Sequence, residues 1–263
     1  MNSHIGILVP STTNKRDWNT MEETMLYKIF LKSFLITYSK EYQYTLYLVI
    51  DNDDKVYSKE SELNKLIRFV NVMKNLKLKI IYTDDIPKGW VTHMWNKAFQ
   101  VAYDDNCDYF LQCGDDIYFL DNDWVKDSIN VLKHNNNIGL TGPLDYDRIA
   151  SGPNSYPGGP RFIQTQNFVS RTHMDIFGFL FPPEIKNWYC DDWMTHVYYP
   201  GLFHQIPNFV KNSGGPPRYQ IVGSLKPNCP IRKKCFELVS KHRSILNNYL
   251  KNLPPSTPAS SST

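Results

Sequence analysis

A chain of 263 residues with a net charge of +3 is long enough for one sizeable core, and its mixed charge excludes the strongly basic face of a nucleic-acid binder or a membrane-surface patch. Five cysteines, an odd number without paired spacing, exclude a disulfide framework and a zinc cluster and point to a reducing compartment. No apolar run has the length of a membrane span or the form of a secretory signal, so the expected setting is the cytoplasm.

In chain order, residues 5–9 are a short apolar run that stops at Pro10-Ser11-Thr12-Thr13, which predicts a buried strand and a turn. Thr20 and Glu23 have capping-box spacing, and Met21, Met25, Ile29 and Phe30 predict one face of the helix that follows. Residues 44–50 read as a second strand ending in Asp51-Asn52-Asp53-Asp54, and Leu63, Leu66, Ile67, Val70 and Met73 then recur at helical spacing. A third strand over 77–82 ends at Thr83-Asp84-Asp85, and a helix is predicted over 90–103. A fourth strand runs into Gly114-Asp115-Asp116, followed by a helix over 123–134 and a short strand over 138–141.

Four alternations of strand and helix within about 140 residues predict an α/β fold, a Rossmann-like, mostly parallel sheet with helices on both faces. In such sheets ligands sit beyond the carboxyl ends of the strands. Ser11, Thr12, Asp51, Asp84, Asp85, Asp115 and Asp116 all fall on that rim. It has no Gly-rich phosphate loop of the GxGxxG or Walker type, so phosphates there would be held by a metal ion and not by a helix end.

Asp115 and Asp116 are the focus. Two carboxylates between apolar flanks need a compensating cation. Neighbouring side chains of a straight strand point to opposite faces, and Gly114 predicts a turn that brings both to one side. A hard divalent ion, Mg2+ or Mn2+, is the natural partner; a solvated acidic turn ahead of the next helix is the plainer reading.

Residues 142–160, punctuated by glycine and proline, predict a lid or binding loop. A strand within 162–170, short helices over 171–177 and from Trp188-Tyr189-Cys190-Asp191-Asp192, and an amphipathic helix through Cys235, Leu238, Val239, His242, Ile245, Leu246 and Tyr249 complete the pattern. The last residues, rich in Pro, Ser and Thr, read as a disordered tail or a linker to a further domain.

In order and spacing, Leu8-Val9-Pro10-Ser11-Thr12, Leu48-Val49-Ile50-Asp51-Asn52, the stretch through Gly114-Asp115-Asp116, and Trp188-Tyr189-Cys190-Asp191-Asp192 resemble the GT-A class of nucleotide-sugar glycosyltransferases, most nearly its family 2 type. The resemblance covers roughly residues 5–220. It implies a single GT-A domain, with residues 1–143 binding the nucleotide-sugar, 144–252 forming the acceptor side and 253–263 the tail. Pro10, Ser11, Thr12 and Asp51 would hold the nucleotide. Asp115 and Asp116 would stand for the DxD motif, although this chain has Gly-Asp-Asp: either Asp115 takes the ribose and Asp116 the Mn2+ or Mg2+ ion, or both touch the ion. Asn96-Lys97 occupies the place of an Arg-Asn pair, making Asn96 a binding candidate. Asp191-Asp192 resembles the acidic pair beside the acceptor, with Asp192 as general base.

The implied reaction moves a sugar from a nucleoside diphosphate-sugar, with uridine expected, to a hydroxyl of a glycan, protein or small molecule. A divalent ion offsets the charge of the leaving diphosphate, and a carboxylate at a helix start, held ionised by the helix end, takes the acceptor proton in an inverting displacement. Lys211, Arg218 and Arg161 are candidates to close over the diphosphate or are ordinary solvated cations. His173, His196 and His204 are candidate third metal ligands or structural residues; Trp95, Trp188 and Trp193 stack on a sugar or pack the core. A nucleotidyltransferase and a non-catalytic nucleotide- or sugar-binding module are the alternative functions.

Overall fold

The computed structural model describes residues 2–153, 159–214 and 229–254. Its main sheet is formed by β1 (His4–Pro10), β2 (Gln43–Asp51), β3 (Leu76–Thr83) and β4 (Tyr109–Gln112), parallel and ordered β3-β2-β1-β4. A second sheet takes β5 (Ile117–Phe119) and β6 (Leu144–Asp145), while β7 (Asn167–Ser170) returns antiparallel beside β4 on the main one. The last strand, β8 (Phe209–Asn212), lies between β5 and β6.

The central strands are apolar throughout because both faces are covered. Ile5, Ile7, Leu8 and Val9 of β1 and Leu46 to Ile50 of β2 are fully buried. One cluster, on one side of the sheet, holds Ile7, Leu48, Phe34, Phe119 and Trp124; the other holds Leu8, Val49, Phe99, Phe110 and Trp193. Each cluster draws on residues from both sides of position 143. The edge strand β3 alternates instead, with Lys77 and Lys79 exposed, charges that discourage pairing with another chain.

The helices are α1 (Lys32–Thr37), α2 (Glu60–Val70), α3 (Val91–Asp104), α4 (Trp124–His134), α5 (Tyr146–Ala150), α6 (Thr172–Phe177), α7 (Cys190–Tyr198) and α8 (Pro230–Lys251). The capping box at Thr20 forms, Glu23 accepting from the Thr20 amide at 2.9 Å. The chain beyond it is not a plain helix: a 3-10 turn, Met21–Glu23, gives way to a π-helical stretch, Leu26–Leu31, before α1. The wider turn rotates the buried face to Met21, Leu26, Phe30 and Phe34, leaving Met25 and Ile29 only partly covered. Residues 138–141 make only isolated bridges, Leu140 with Phe203 and Thr141 with Phe168, and are no strand.

The glycine- and proline-rich stretch also carries more structure than its composition predicts. Asp145 accepts from the amides of Asp147 and Arg148 at 3.1 and 3.3 Å, an N-cap that starts α5. Residues 154–158 of that stretch and 255–263 of the expected tail lie outside the described residues.

Candidate active site

The parallel order brings the carboxyl ends of β1 and β4 side by side, and the residues just past them meet. Ser11 Oγ donates to Asp115 Oδ2 at 2.5 Å, and the Tyr57 hydroxyl lies 2.7 Å from the same Ser11 oxygen. Asp115 is fully buried and Ser11 nearly so. A short bond from a hydroxyl to a carboxylate is the charge-assisted kind that offsets burial. Burial, and then the Asp115 charge, push the Tyr57 phenol well above its usual range, so it stays a neutral hydrogen-bonding group.

The β1 turn is tied down by an acid that sequence reasoning did not single out. Asp54 accepts from the Thr13 amide and hydroxyl at 2.7 and 2.8 Å and from Thr12 Oγ1 at 3.3 Å. It also accepts from the Val56 and Tyr57 amides at 3.0 and 3.1 Å. One buried carboxylate therefore fastens the turn after β1 to the turn after β2, and sets Tyr57 against Ser11. The run Asp51-Asn52-Asp53-Asp54 offers three acids, and Asp54 has the Asx spacing to the amides two and three residues on. Asp51 is buried at the end of β2, with Thr83 Oγ1 3.5 Å from its carboxylate. Asp53 pairs with Lys88 and Asp85 with Lys97 in exposed ion pairs; Asp84 is exposed.

The chain turns at Asp115-Asp116 as expected, but Gly114 serves that turn in another way. Its backbone avoids the left-handed region that favours glycine; what it supplies is room, since a Cβ there would lie 2.4 Å from Asp116 Oδ1. On the opposite side a Cβ at Gly214 would lie 1.6 Å from Asp116 Oδ2. The Asp116 carboxylate thus sits in a slot between two glycines, one from each of the chain segments that end β4 and β8. The Ser213 amide donates to the Asp116 carbonyl at 3.0 Å, closing the slot. Cys113, immediately before it, is held protonated by burial and by the Asp116 and Asp115 charges.

The second acidic pair opens α7. Tyr189, the residue before it, takes a left-handed φ of 71°, unusual for a bulky side chain, and Asp191 and Asp192 fill the first helical turn. Burial raises the Asp191 carboxyl to about 7, the neighbouring Asp192 adds to the rise, and Arg148, Cys190 and Asn167 oppose it. Asp191 keeps partial exposure and Asp192 is buried at 7%. Asn167 links the two acidic pairs: it stands opposite Gln112 in the β4–β7 ladder and donates to Gln112 Oε1 at 2.5 Å. Gln112 precedes Asp115 by three residues, so Asp115, Asp116 and Asp191 share one rim. The charge of Arg148 on α5, in the stretch that composition marked only as loop, is felt at Asp191.

Other expected residues sit elsewhere. The Asn96 amide accepts from the Leu180 and Phe181 backbone at 3.1 and 2.8 Å and donates to the Phe181 carbonyl at 2.8 Å, which ties α3 to that loop. Trp95 donates to the Cys113 carbonyl at 3.2 Å and so braces the end of β4. Trp193 is fully buried against His242, a core residue, whereas Trp188 is half-buried. His173 is a core residue too: its ring nitrogens contact the Tyr198 hydroxyl at 2.7 Å and the Leu180 carbonyl at 3.1 Å, and burial lowers its pKa to about 4. His196 is buried on α7, and His204 is exposed. Lys211 pairs with Asp147 at 3.8 Å, Arg161 lies over the Phe162 ring, and Arg218 lies outside the described residues. Among the described residues no group of three or more His, Cys, Asp or Glu side chains is arranged to hold a metal.

A structure of S. aureus TarS superposes with a TM-score of 0.55 at 13% identity, over 94% of this chain and 43% of that one. The mostly parallel α/β sheet flanked by helices is GT-A-like in fold. TarS 1–349 in complex with UDP matches at a TM-score of 0.52 and 14% identity, over 93% of this chain and 65% of that one. The complex with UDP-GlcNAc matches at 0.53 and 13%, over 94% and 71%. This chain thus spans less than half of the first TarS structure, and at such identity the GT-A-like likeness is one of fold alone. No family model matches the sequence. No curated protein matches it either.

Proposed function

We propose that the chain is a family 2-type glycosyltransferase that moves a sugar from a nucleoside diphosphate-sugar, with uridine as the base, to an acceptor hydroxyl. The observation that carries this reading is the convergence of Ser11, Asp115 and Asp116 with Asp191 on one rim of the sheet. The TarS complexes with UDP and UDP-GlcNAc add support from a related fold.

In this reading the turn of Pro10, Ser11 and Thr12, fixed by Asp54, and Asp51 at the end of β2 line the nucleotide. Asp115 takes the ribose side, oriented by Ser11. The slot around Asp116 fits a hard divalent ion, Mg2+ or Mn2+: its donors are carboxylate oxygens, and no Cβ crowds them. Asp116 would hold such an ion, with diphosphate oxygens and water completing the shell, and the ion would offset charge on the leaving diphosphate. Asp192, at the third position of α7, takes the proton of the acceptor hydroxyl. Asp191, with a proton affinity near neutrality, sets the local charge beside it; Asn167 hydrogen-bonds it and the Arg148 charge opposes its protonation. A base across from the leaving group supports inversion by single displacement. Asn96 acts at one remove, by holding the 180–181 loop.

The test is a panel of nucleotide-sugars in thermal-shift assays with and without Mn2+. A ligand that binds only the folded state raises the melting temperature, so a shift that needs donor and Mn2+ together is expected. No shift with any donor would overturn the reading.

A further inference from the structure

The small sheet turns one face to the core and the other outward. Ile117, Phe119 and Val210 are buried. The two-residue period of a strand and the pairing Tyr118↔Lys211 put Tyr118 and Leu120 of the β5 segment on the same outer face as Phe209 and Lys211 of β8. Leu144 of β6 stands opposite Phe209 on that face. Leu120 continues the ladder, its amide donating to the Phe209 carbonyl at 3.0 Å. Tyr118 is 38% exposed, Leu120 44% and Tyr146, at the start of α5, 53%, with its ring edge-on to Phe209 at 6.0 Å.

The position of this face matters as much as its composition. Asp116 precedes Tyr118 by two residues and Leu120 by four, so the stripe begins at the glycine slot and runs about 13 Å from it, farther than a single sugar ring reaches. At the other border stands α5, whose Arg148 charge is felt at Asp191. The face therefore begins at the first acidic pair.

Resting on the transferase reading, we infer that this outer face is the docking track of an oligosaccharide acceptor, whose ring faces stack on Tyr118, Tyr146 and Phe209 while its reactive end lies at the acidic pairs. Aromatic rings with a polar edge suit a ligand that is apolar on its ring face and hydroxylated at its rim. Lys211 and Asp147 already pair at 3.8 Å, and Asp116 at one border and Arg148 at the other balance in sign; the face offers hydrogen bonds with no net charge, which matches a neutral, hydroxyl-rich chain and neither an anionic lipid surface nor a polyanion. Exposed apolar area of roughly 300 Å² on side chains of this size is also well below the ~800 Å² per partner of a stable protein interface.

The experiment compares wild type, the double variant Tyr118→Ala/Tyr146→Ala, and Ile36→Ser, a control at an exposed apolar side chain on α1. Each is titrated with α- and β-linked homo-oligosaccharides of glucose and of N-acetylglucosamine, from dimers to hexamers, with binding read by saturation-transfer NMR and calorimetry. UDP binding is measured on the same samples. The expected result is that some oligosaccharides bind wild type and the control, with affinity rising with length. The double variant loses about tenfold for the longer ones, equal to about 1.4 kcal/mol, and keeps UDP affinity. Equal oligosaccharide affinity in the double variant, or no binding by any member of the panel, would overturn the docking track while UDP binding still upheld the donor site. Binding that depends on the face without any UDP binding would keep the track as a glycan site and sink the transferase reading. A concentration-dependent dimer that the double variant abolishes would reassign the face to contact between copies of this chain.

Discussion

The two acidic pairs are built in opposite ways. Asp115 and Asp116 stand past the end of a strand, one receiving a short hydrogen bond from Ser11 and the other lodged between Gly114 and Gly214. Asp191 and Asp192 open a helix, and burial lifts the Asp191 proton affinity to about 7. The first arrangement holds charge still; the second leaves a proton easy to move. Chemistry that separates a bound, charged leaving group from a proton-accepting base needs that division.

The sharpest way to break the comparison is Asp192→Asn. If the second pair moves a proton and the first binds the donor, turnover should fall by roughly 10²–10⁴ while donor affinity stays within a factor of about two, measured as initial rates beside calorimetric titration. An equal loss in both would erase the division. Next comes Gly214→Ala: its Cβ would lie 1.6 Å from the Asp116 carboxylate, so that carboxylate must leave its slot. Donor affinity should drop at least tenfold, about 1.4 kcal/mol, and Gly214→Ser should do no better.

Ser11→Ala removes the hydroxyl that offsets a buried charge. We expect a loss of stability of about 1.5–3 kcal/mol by urea denaturation, with weaker donor binding, and Ser11→Thr should restore part of both. The smallest effect concerns pH. Asp191 binds its proton more tightly folded than unfolded, since its affinity rises from an ordinary 3.8 to about 7. Its contribution to stability is thus present at acid pH and lost as pH rises from about 4 to about 7. Asp191→Asn should therefore stabilise the protein more at pH 8 than at pH 5, by on the order of 1–3 kcal/mol. A pH-independent difference would show that its surroundings do not raise the Asp191 proton affinity.

The sheet was legible in the sequence because its strands are unbroken apolar runs, the mark of strands covered on both faces. The rim residues followed from the rule that loops at the strand ends carry the ligand, which is why Ser11 and Asp115 could be named before their contact was known. What could not be read is what needs three dimensions. Asp54 is one acid among three until the turn shows its amide partners. Gly114 looked conformational and proved to be about space, because the crowding comes from its neighbour Asp116 and from Gly214, a hundred residues on. The π-helical stretch kept Met21 and Phe30 buried but replaced Met25 and Ile29 by Leu26 on the buried face, since an extra residue per turn defeats the 3.6 period. Arg148 hid in a stretch whose glycines and prolines masked the Asp145 cap.

The most direct test of the account is calorimetric titration of UDP, with Mn2+ present, into wild type and into Asp116→Asn, a half-exposed position whose change should leave the core intact. The account predicts binding to wild type and a loss of at least tenfold in the variant, with the melting temperature of the free protein unchanged. Equal affinity in the two proteins would contradict it, as would the absence of UDP binding by a folded wild type.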